Sequence, residues 1–372
     1  MPSPAPADPA HSAVLVRAPA RLHLGFMDPS GTLGRRFGSL GLVIDGPVCE
    51  VEMSLAAADI WLADDALCAA ELPRASAHLL ALRQHSGQHA PLQMRLRRVM
   101  PAHAGFGSGT QLALAIGRAF AQLHGLDLQT AQLAQWLGRG RRSGIGIAGF
   151  DAGGLLLDGG PGAQAGEHCM PAPVLARVDT PTAWRVIVAE DRRVRGLSGD
   201  AERRSLATLP ALAREQAADI CHQVLMRVLP GAAADDFCAF ALGINHMQSV
   251  LGSHFAPAQH GSAYTSPAVA CLMGWLRGDS AAPRAAVGQS SWGPSGFAIV
   301  ESATAARQLL AQAQQAGVLD EALRLSTVTV RRQGAEVLRV ARGPDHASRE
   351  TSASTPSPHH RQPHSQALHH VS

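Results

Sequence analysis

The stretch Pro101-Ala-His-Ala-Gly-Phe-Gly-Ser-Gly-Thr-Gln111 lies between two patterns of different period. Before it, Leu92–Val99 alternates apolar and polar residues, as a strand with one buried face does. After it, Leu112–Leu123 is apolar at helical spacing. The unit reads as strand, glycine-rich loop, helix. Glycines let a backbone approach a ligand closely and take up dihedrals closed to other residues. A helix start offers unpaired N–H groups and the positive end of its dipole. Together these make an anion site suited to phosphate or diphosphate. Its candidate residues are Gly105, Gly107, Ser108, Gly109, Thr110 and Gln111. The hydroxyls of Ser108 and Thr110 are available to cap the helix, contact phosphate or help hold Mg²⁺. An ordinary glycine-rich strand-to-helix turn has the same composition, and the loop alone does not separate the two readings.

Toward the N-terminus stands Arg17-Ala-Pro-Ala-Arg-Leu-His-Leu-Gly25. Alternate residues of a strand share a face, so Arg21 and His23 converge from one side. That pair suits a phosphate or carboxylate, and an exposed sheet face is the plainer alternative. Gly34-Arg-Arg-Phe-Gly-Ser39 adds two arginines in a glycine-flanked loop, of which Arg35 is the candidate anion ligand and solvated surface charge the alternative. Toward the C-terminus, Arg139-Gly-Arg-Arg-Ser-Gly-Ile-Gly146 supplies Ser143, Gly144 and Gly146 as candidates. The carboxylates that follow, Asp151 and Asp158, are each placed to bind Mg²⁺ or act as a base. The polar turn Gly288-Gln-Ser-Ser-Trp-Gly-Pro-Ser-Gly296 carries more hydroxyls than chain reversal needs, and contributes Gln289, Ser290 and Ser291.

The element order is strands from Ala13 to about Leu62, then mixed strands and helices, which predicts an α+β fold in two halves. Helices are expected over Arg74–His85, Thr130–Leu137, much of Ala201–Leu251 with breaks at Pro210 and Pro230, Pro267–Leu276 and Ala303–Ala316. Strands are expected at Gly154–Asp158 and Trp184–Ala189, with a strand–turn–strand at Ala285–Val300. Ser326–Ala341 reads as a hairpin about Gln333–Gly334. Residues 1–12 and 343–372 are rich in Pro, Ser, Ala and His and are expected to be disordered. Between them the division is 13–170 and 171–342.

Composition excludes several classes. The chain has 372 residues, 46% hydrophobic and 16% charged, with a mean hydropathy of +0.02, which fits a soluble globular protein. There is no apolar run of membrane-helix length and no signal-peptide pattern, so a cytoplasmic location is expected, with no membrane partner. No Cys-x-x-Cys pair occurs among the six cysteines, which read as reduced and apolar. The net charge of +3 and 4% aromatic content give no nucleic-acid signature. All 32 basic residues are arginine. Without lysine, a Walker-type phosphate loop and Schiff-base chemistry are both closed to this chain. Any anion that needs a side-chain cation must use the arginine fork.

Pro101–Gln111 is similar to the phosphate-binding motif of the GHMP kinase superfamily. More narrowly, the chain resembles the β-ribofuranosylaminobenzene 5'-phosphate synthases, members of that superfamily that are not kinases. The resemblance is carried by Arg21–Asp28, Gly31–Gly41, the loop, Arg139-Gly140 with Ser143–Gly146, Gly153–Gly160, Phe255–Gln259 with Tyr264–Pro267, and Gly288–Pro294. It runs in order from about Val14 to Ala341. It implies the GHMP-kinase-like fold, with an N-terminal half like ribosomal protein S5 and a ferredoxin-like C-terminal half. It also implies a reaction: phosphoribosyl diphosphate and 4-aminobenzoate give the aryl C-riboside 5'-phosphate, CO₂ and diphosphate, an early step toward methanopterin-type one-carbon carriers. Mg²⁺ is the expected cofactor and a homodimer the expected assembly. On this reading Arg21, His23 and Asp158 are catalytic, with Asp151 as a further candidate, and Ser108 and Asp158 hold the metal. The loop reads G-F-G-S-G-T-Q where the kinases have G-L-G-S-S-x-A, and the residues around Asp151 differ from those around the kinases' catalytic aspartate. The competing readings are an ATP-dependent small-molecule kinase and a non-catalytic phosphometabolite-binding protein.

Overall fold

The computed structural model describes residues 12–161, 170–196, 204–205, 207–278 and 282–341. The tails expected to be disordered therefore lie, but for Ser12, outside the described residues. Two long strands open the chain, β1 (Ser12–Asp28) and β2 (Phe37–Leu55), paired antiparallel with bulges after Pro19 and His23. Edge strand β3 (Ile60–Ala63) runs parallel to β4 (Leu92–Arg98), which pairs with β2. Between them α1 (Ala66–Ser86) begins eight residues before the expected start. The Asp65 carboxylate accepts from Cys68 N and supplies the cap, and the helix continues through Pro73. The expected start at Arg74 therefore fell inside the helix rather than at its cap.

The chain then forms α2 (Ser108–Leu123), α3 (Thr130–Trp136) and α4 (Ile145–Asp151). Strands β5 (Leu155–Asp158), β6 (Val174–Val178) and β7 (Arg185–Asp191) follow. Strand β6 escaped the sequence reading, and its largely exposed residues explain why no alternation marks it. Helix α2 is nearly all buried: Leu112, Leu114, Ile116 and Phe120 join the main core with Leu22, Leu24, Leu40 and Leu42 of the first two strands. Each such side chain contributes about 1.5–3 kcal/mol, so the start of α2 is fixed against the sheet.

In the second half α5 (Arg214–Gln223), a π-helical turn at Val224–Val228 and α6 (Leu229–Ala234) form one continuous rod. Pro230 sits in the first turn of α6, where proline is tolerated, and does not break the helix. Helix α7 (Phe237–Phe255), α8 (Pro267–Arg277), β8 (Ala286–Gln289), β9 (Ser295–Val300) and α9 (Ala303–Gln315) follow, then β10 (Leu323–Val330) and β11 (Glu336–Ala341). The expected hairpin of the last two strands does not form. Strand β10 pairs with β7 and, at Thr329 and Val330, with β2, whereas β11 pairs with β1. The connection between them is threaded against the end of α4. Arg331 N donates to Val43 O and Ala335 N to Phe150 O, and a Cβ at Gly334 would lie 2.4 Å from Phe150 O. A tertiary fit, rather than a tight turn, accounts for the glycine. The main path of the sheet, β11-β1-β2-β10-β7-β9-β8, joins the two halves of an α+β fold. No helix among the described residues is long and apolar enough to cross a membrane.

Candidate active site

Four glycine-rich segments meet around one cleft of about 940 Å³. They are the loop before α2, the β1–β2 connection, residues 138–143 before α4, and the β8–β9 turn. Hydrogen bonds join two of them to each other and to strand β1. Ser290 Oγ donates to Gly105 O (2.7 Å) and accepts from His23 N (2.9 Å), and Ser291 N donates to His23 O (3.3 Å). Arg21 Nη1 also donates to Gly105 O (2.8 Å). Packing of the loop on the β8–β9 turn explains Gly105: with φ at +96°, a Cβ there would stand 2.6 Å from Ser290 O.

The start of α2 opens into this cleft. Gly107 caps it in the left-handed region (φ 78°), and no side chain caps it. The hydroxyls of Ser108 and Thr110 therefore remain at the cleft wall, and the first N–H groups lack intrahelical acceptors. Six arginines line the cleft into which it opens: Arg21, Arg36, Arg74, Arg139, Arg141 and Arg142. Arg74 pairs with Glu71 (3.0 Å), and Arg139 Nη2 reaches Thr110 Oγ1 at 3.4 Å. Burial and the neighbouring Arg74 and Arg141 push the Arg139 guanidinium below its ordinary pKa. Nothing on the described wall of the cleft is a carboxylate. Concentrating cations this way costs folding energy through mutual repulsion and desolvation, and a polyanion bound between them offsets that cost.

His23 lies on the same wall, nearly fully buried, with Nε2 unpartnered among the described residues. Burial, then Arg21 and Arg142, lower its pKa to about 3. It is a neutral imidazole at physiological pH.

Of the sequence candidates, Arg21, His23, Gly105, Gly107, Ser108, Gly109, Thr110, Ser143 and Ser291 line this cleft. The others do not. Asp158 is fully buried: Oδ1 accepts from Ser39 N and Gly160 N, and Oδ2 accepts from Gly144 N and Ser143 Oγ. It anchors loops and is spent on backbone amides, so the catalytic and metal roles expected of it find no geometry here. Asp151 is exposed at the end of α4 and accepts from Thr130 Oγ1. Arg35 turns to the carbonyls of Gly159 (2.6 Å) and Gly160 (2.9 Å), and its neighbour Arg36 lines the cleft instead. Gln111 is buried and donates to Gly146 O, tying α2 to α4. Gly144 and Gly146 are packing positions: a Cβ at Gly144 would meet Ala172 O at 2.7 Å, and one at Gly146 would meet Thr110. Gln289 accepts from Thr265 N and donates to Gln259 Oε1, and Ser290 is the clamp described above.

The expected metal pair, Ser108 and Asp158, does not converge. The side-chain polar groups described around the cleft are hydroxyls, arginines and the imidazoles of His23 and His103, a poor set for Mg²⁺, which favours carboxylates and phosphate oxygens. A protein-held Mg²⁺ does not fit these residues. Arg139, Arg141 and Arg142 were visible in the sequence as an arginine run among glycines. Arg74, on α1, carried no local signal, because only the packing of α1 beside α2 brings it to the loop.

Residues 72–154 match the GHMP kinases N terminal domain. The chain is similar to homoserine kinase from Cytophaga hutchinsonii, with a TM-score of 0.59 and 20% identity over 88% of this chain and 97% of that one. It is also similar to the phosphomevalonate kinase of Streptococcus pneumoniae, with a TM-score of 0.62 and 12% identity over 86% and 100%. At such identities these two show the fold alone. The β-ribofuranosylphenol 5'-phosphate synthase of Archaeoglobus fulgidus is 31% identical over 295 residues, 77% of this chain and 88% of that protein. The protein of the same name from Methanothermobacter thermautotrophicus is 31% identical over 249 residues, 63% of this chain and 75% of that one. By its fold, the order of its motifs and this identity, the chain belongs to the β-ribofuranosylphenol 5'-phosphate synthase family of the GHMP kinase superfamily.

Proposed function

We propose that the protein joins C1 of phosphoribosyl diphosphate to the carboxylate-bearing ring carbon of 4-aminobenzoate, releasing diphosphate and CO₂. The observation that carries this reading is the convergence of Arg21, Arg74, Arg139, Arg141 and Arg142 with the start of α2, which no side chain caps, in one cleft. A substrate with a phosphate at one end and a diphosphate at the other matches that charge. In the step, the ring carbon forms a bond to C1 while the C1–oxygen bond breaks, its electron pair leaving with diphosphate. The ring–carboxylate bond then breaks, CO₂ departs, and its pair restores aromaticity. No net proton transfer is required, which agrees with a cleft wall whose described residues include no carboxylate base.

The protein's part is positioning and electrostatics. Preorganised N–H groups and guanidinium forks stabilise charge as it develops on the leaving diphosphate. Arg21, held against Gly105 O, is proposed to meet that charge. Mg²⁺ is proposed to arrive on the diphosphate. ATP has no role in this chemistry, and the product is suited to the synthesis of methanopterin-type carriers.

The names of the relatives specify a phenol product, so 4-hydroxybenzoate is the acceptor to compare. The test is incubation of the full chain with phosphoribosyl diphosphate, Mg²⁺ and either acid labelled in its carboxyl group. Labelled CO₂ that depends on phosphoribosyl diphosphate is the expected result, with 4-aminobenzoate the faster acceptor. No release from either acid would overturn the proposal, and release from the hydroxy acid alone would overturn the choice of acceptor.

A further inference from the structure

The cleft is chemically polarised along its length. At one end Arg139 and Arg74 flank Gly109, since a Cβ built there would lie 2.9 Å from Arg139 Nη2 and 3.9 Å from Arg74 Nη1. Arg21 stands beside Gly107 in the middle, and His23 follows two residues along β1. Beyond His23 the wall turns aromatic: His23 meets Phe26 edge-on at 4.5 Å, and Phe26 meets Phe37 at 5.2 Å. Arg36 closes this end with its guanidinium 4.9 Å from the centre of the Phe37 ring.

Two observations mark the cleft as built for a ligand, and Phe37 and Arg36 bring them to this end. The first is backbone strain. Five non-glycine residues among those described have positive φ, and two of them, Asp235 and His260, are left-handed helix caps, an ordinary place for such geometry. The other three, Phe37 (φ 70°), His103 (φ 61°) and Ser291 (φ 57°), all line the cleft. A bulky aromatic at positive φ is a steric outlier that the fold must hold in place. The second is Arg36. It is exposed, and its Nε donates to Pro29 O (3.0 Å). No carboxylate among the described residues pairs with it, and it lines the cleft, where a guanidinium offers a fork for a planar anion.

We propose that this end is the acceptor subsite: the ring of an aromatic carboxylic acid packs on Phe26 and Phe37, and Arg36 holds its carboxylate. The inference rests on the function proposed above and adds which residues read the acceptor rather than the phosphates. Offset or edge packing on the two rings fixes the plane of the acid. The Arg36 fork orients the carboxylate, and with it the ring carbon that must face C1.

The test uses the full chain, with calorimetric binding of 4-aminobenzoate, aniline and inorganic diphosphate, and steady-state KM for both substrates. Arg36→Gln is expected to weaken 4-aminobenzoate by about tenfold or more, the loss of one charge-assisted contact, and to abolish the preference for it over aniline. Diphosphate affinity and the KM for phosphoribosyl diphosphate should stay within about twofold of wild type. Phe37→Gly keeps a residue that accepts positive φ, and should weaken 4-aminobenzoate and aniline alike while leaving diphosphate unchanged. If Arg36→Gln instead weakens diphosphate, or leaves 4-aminobenzoate unchanged in a wild type that turns over, the subsite assignment is wrong and the function stands. If the wild type binds no aromatic acid, both fall together.

Discussion

A Cβ built at Gly107 would stand 3.0 Å from Cζ of Arg21, so the cap of α2 and the strand arginine share one wall of the cleft. Gly107 also has φ at +78°, where a β-branched residue is strained. Gly107→Val therefore does two things: it tilts the loop amides away from a bound phosphate and pushes the guanidinium aside. Charge-assisted hydrogen bonds are worth about 1.5–3 kcal/mol each, so losing two weakens diphosphate binding by roughly a hundredfold or more. Arg21→Ala removes one cation and leaves the loop shaped, so it should cost less. Because the valine already displaces Arg21, the double variant should bind little worse than Gly107→Val. Calorimetric titration with diphosphate, on variants shown folded by circular dichroism, checks this, and parental affinity in Gly107→Val would refute it.

Asp158→Asn separates a structural role from a catalytic one. The four donors that converge on this carboxylate come from Ser39, Ser143, Gly144 and Gly160. An amide turns one of the acceptor oxygens into a donor facing N–H groups, at a cost of about 1–3 kcal/mol for each group left unsatisfied. The variant should melt several degrees lower, and its folded fraction should keep the wild-type KM for phosphoribosyl diphosphate. Unchanged melting with a large fall in kcat would restore Asp158 to the chemistry.

How much of this was legible in the sequence varied by residue. Arg21 and His23 were found because a strand's period of two puts them on one face. The loop was found because its glycines interrupt two clear periods. The order of the elements gave the α+β class. Arg35 and Arg36 are adjacent and chemically identical, and their separation depends on the turn into Phe37, which no periodicity encodes. Asp158 looked catalytic because aspartate among glycines is common to active sites and to buried loop anchors alike. Only its burial tells these apart. Arg74 lies 35 residues from Gly109, the loop residue it stands beside, and its place depends on how α1 packs.

His23 makes folding stability depend on pH in a stated direction. Its folded pKa, about 3, lies below the ordinary value of 6.5. Between these values the unfolded chain binds the extra proton and the folded chain does not, so stability rises with pH across that window. The contribution is fully present above about pH 6.5 and declines as the medium is acidified, by up to about 1.4 kcal/mol per unit. His78, lowered to about 4 by burial with Arg139 and Arg74 nearby, acts in the same sense. His23→Gln should flatten this acid-side loss in denaturant melts taken between pH 4 and 7. An unchanged slope would mean that His23 is protonated in the folded protein.

Magnesium provides the last prediction, and the arginines set its direction. A cleft with six guanidiniums and no carboxylate on its described wall repels a free divalent cation. Mg²⁺ is stable there only when diphosphate supplies its hard oxygen ligands. Titrating Mg²⁺ alone into the full chain should therefore give no saturable heat, and the same titration with diphosphate present should give one. Turnover should follow the concentration of the magnesium–phosphoribosyl diphosphate complex rather than that of free Mg²⁺. Arg139→Met sharpens the test. Arg139 lies beside Arg74, Arg141 and Thr110, and its loss removes part of the charge that neutralises the leaving group. The variant should bind diphosphate roughly tenfold or more weakly, one charge-assisted contact being lost, and should need more Mg²⁺ for half-maximal rate as the ion takes up the missing charge. Tight binding of Mg²⁺ to the free protein would show instead that the chain builds its own metal site.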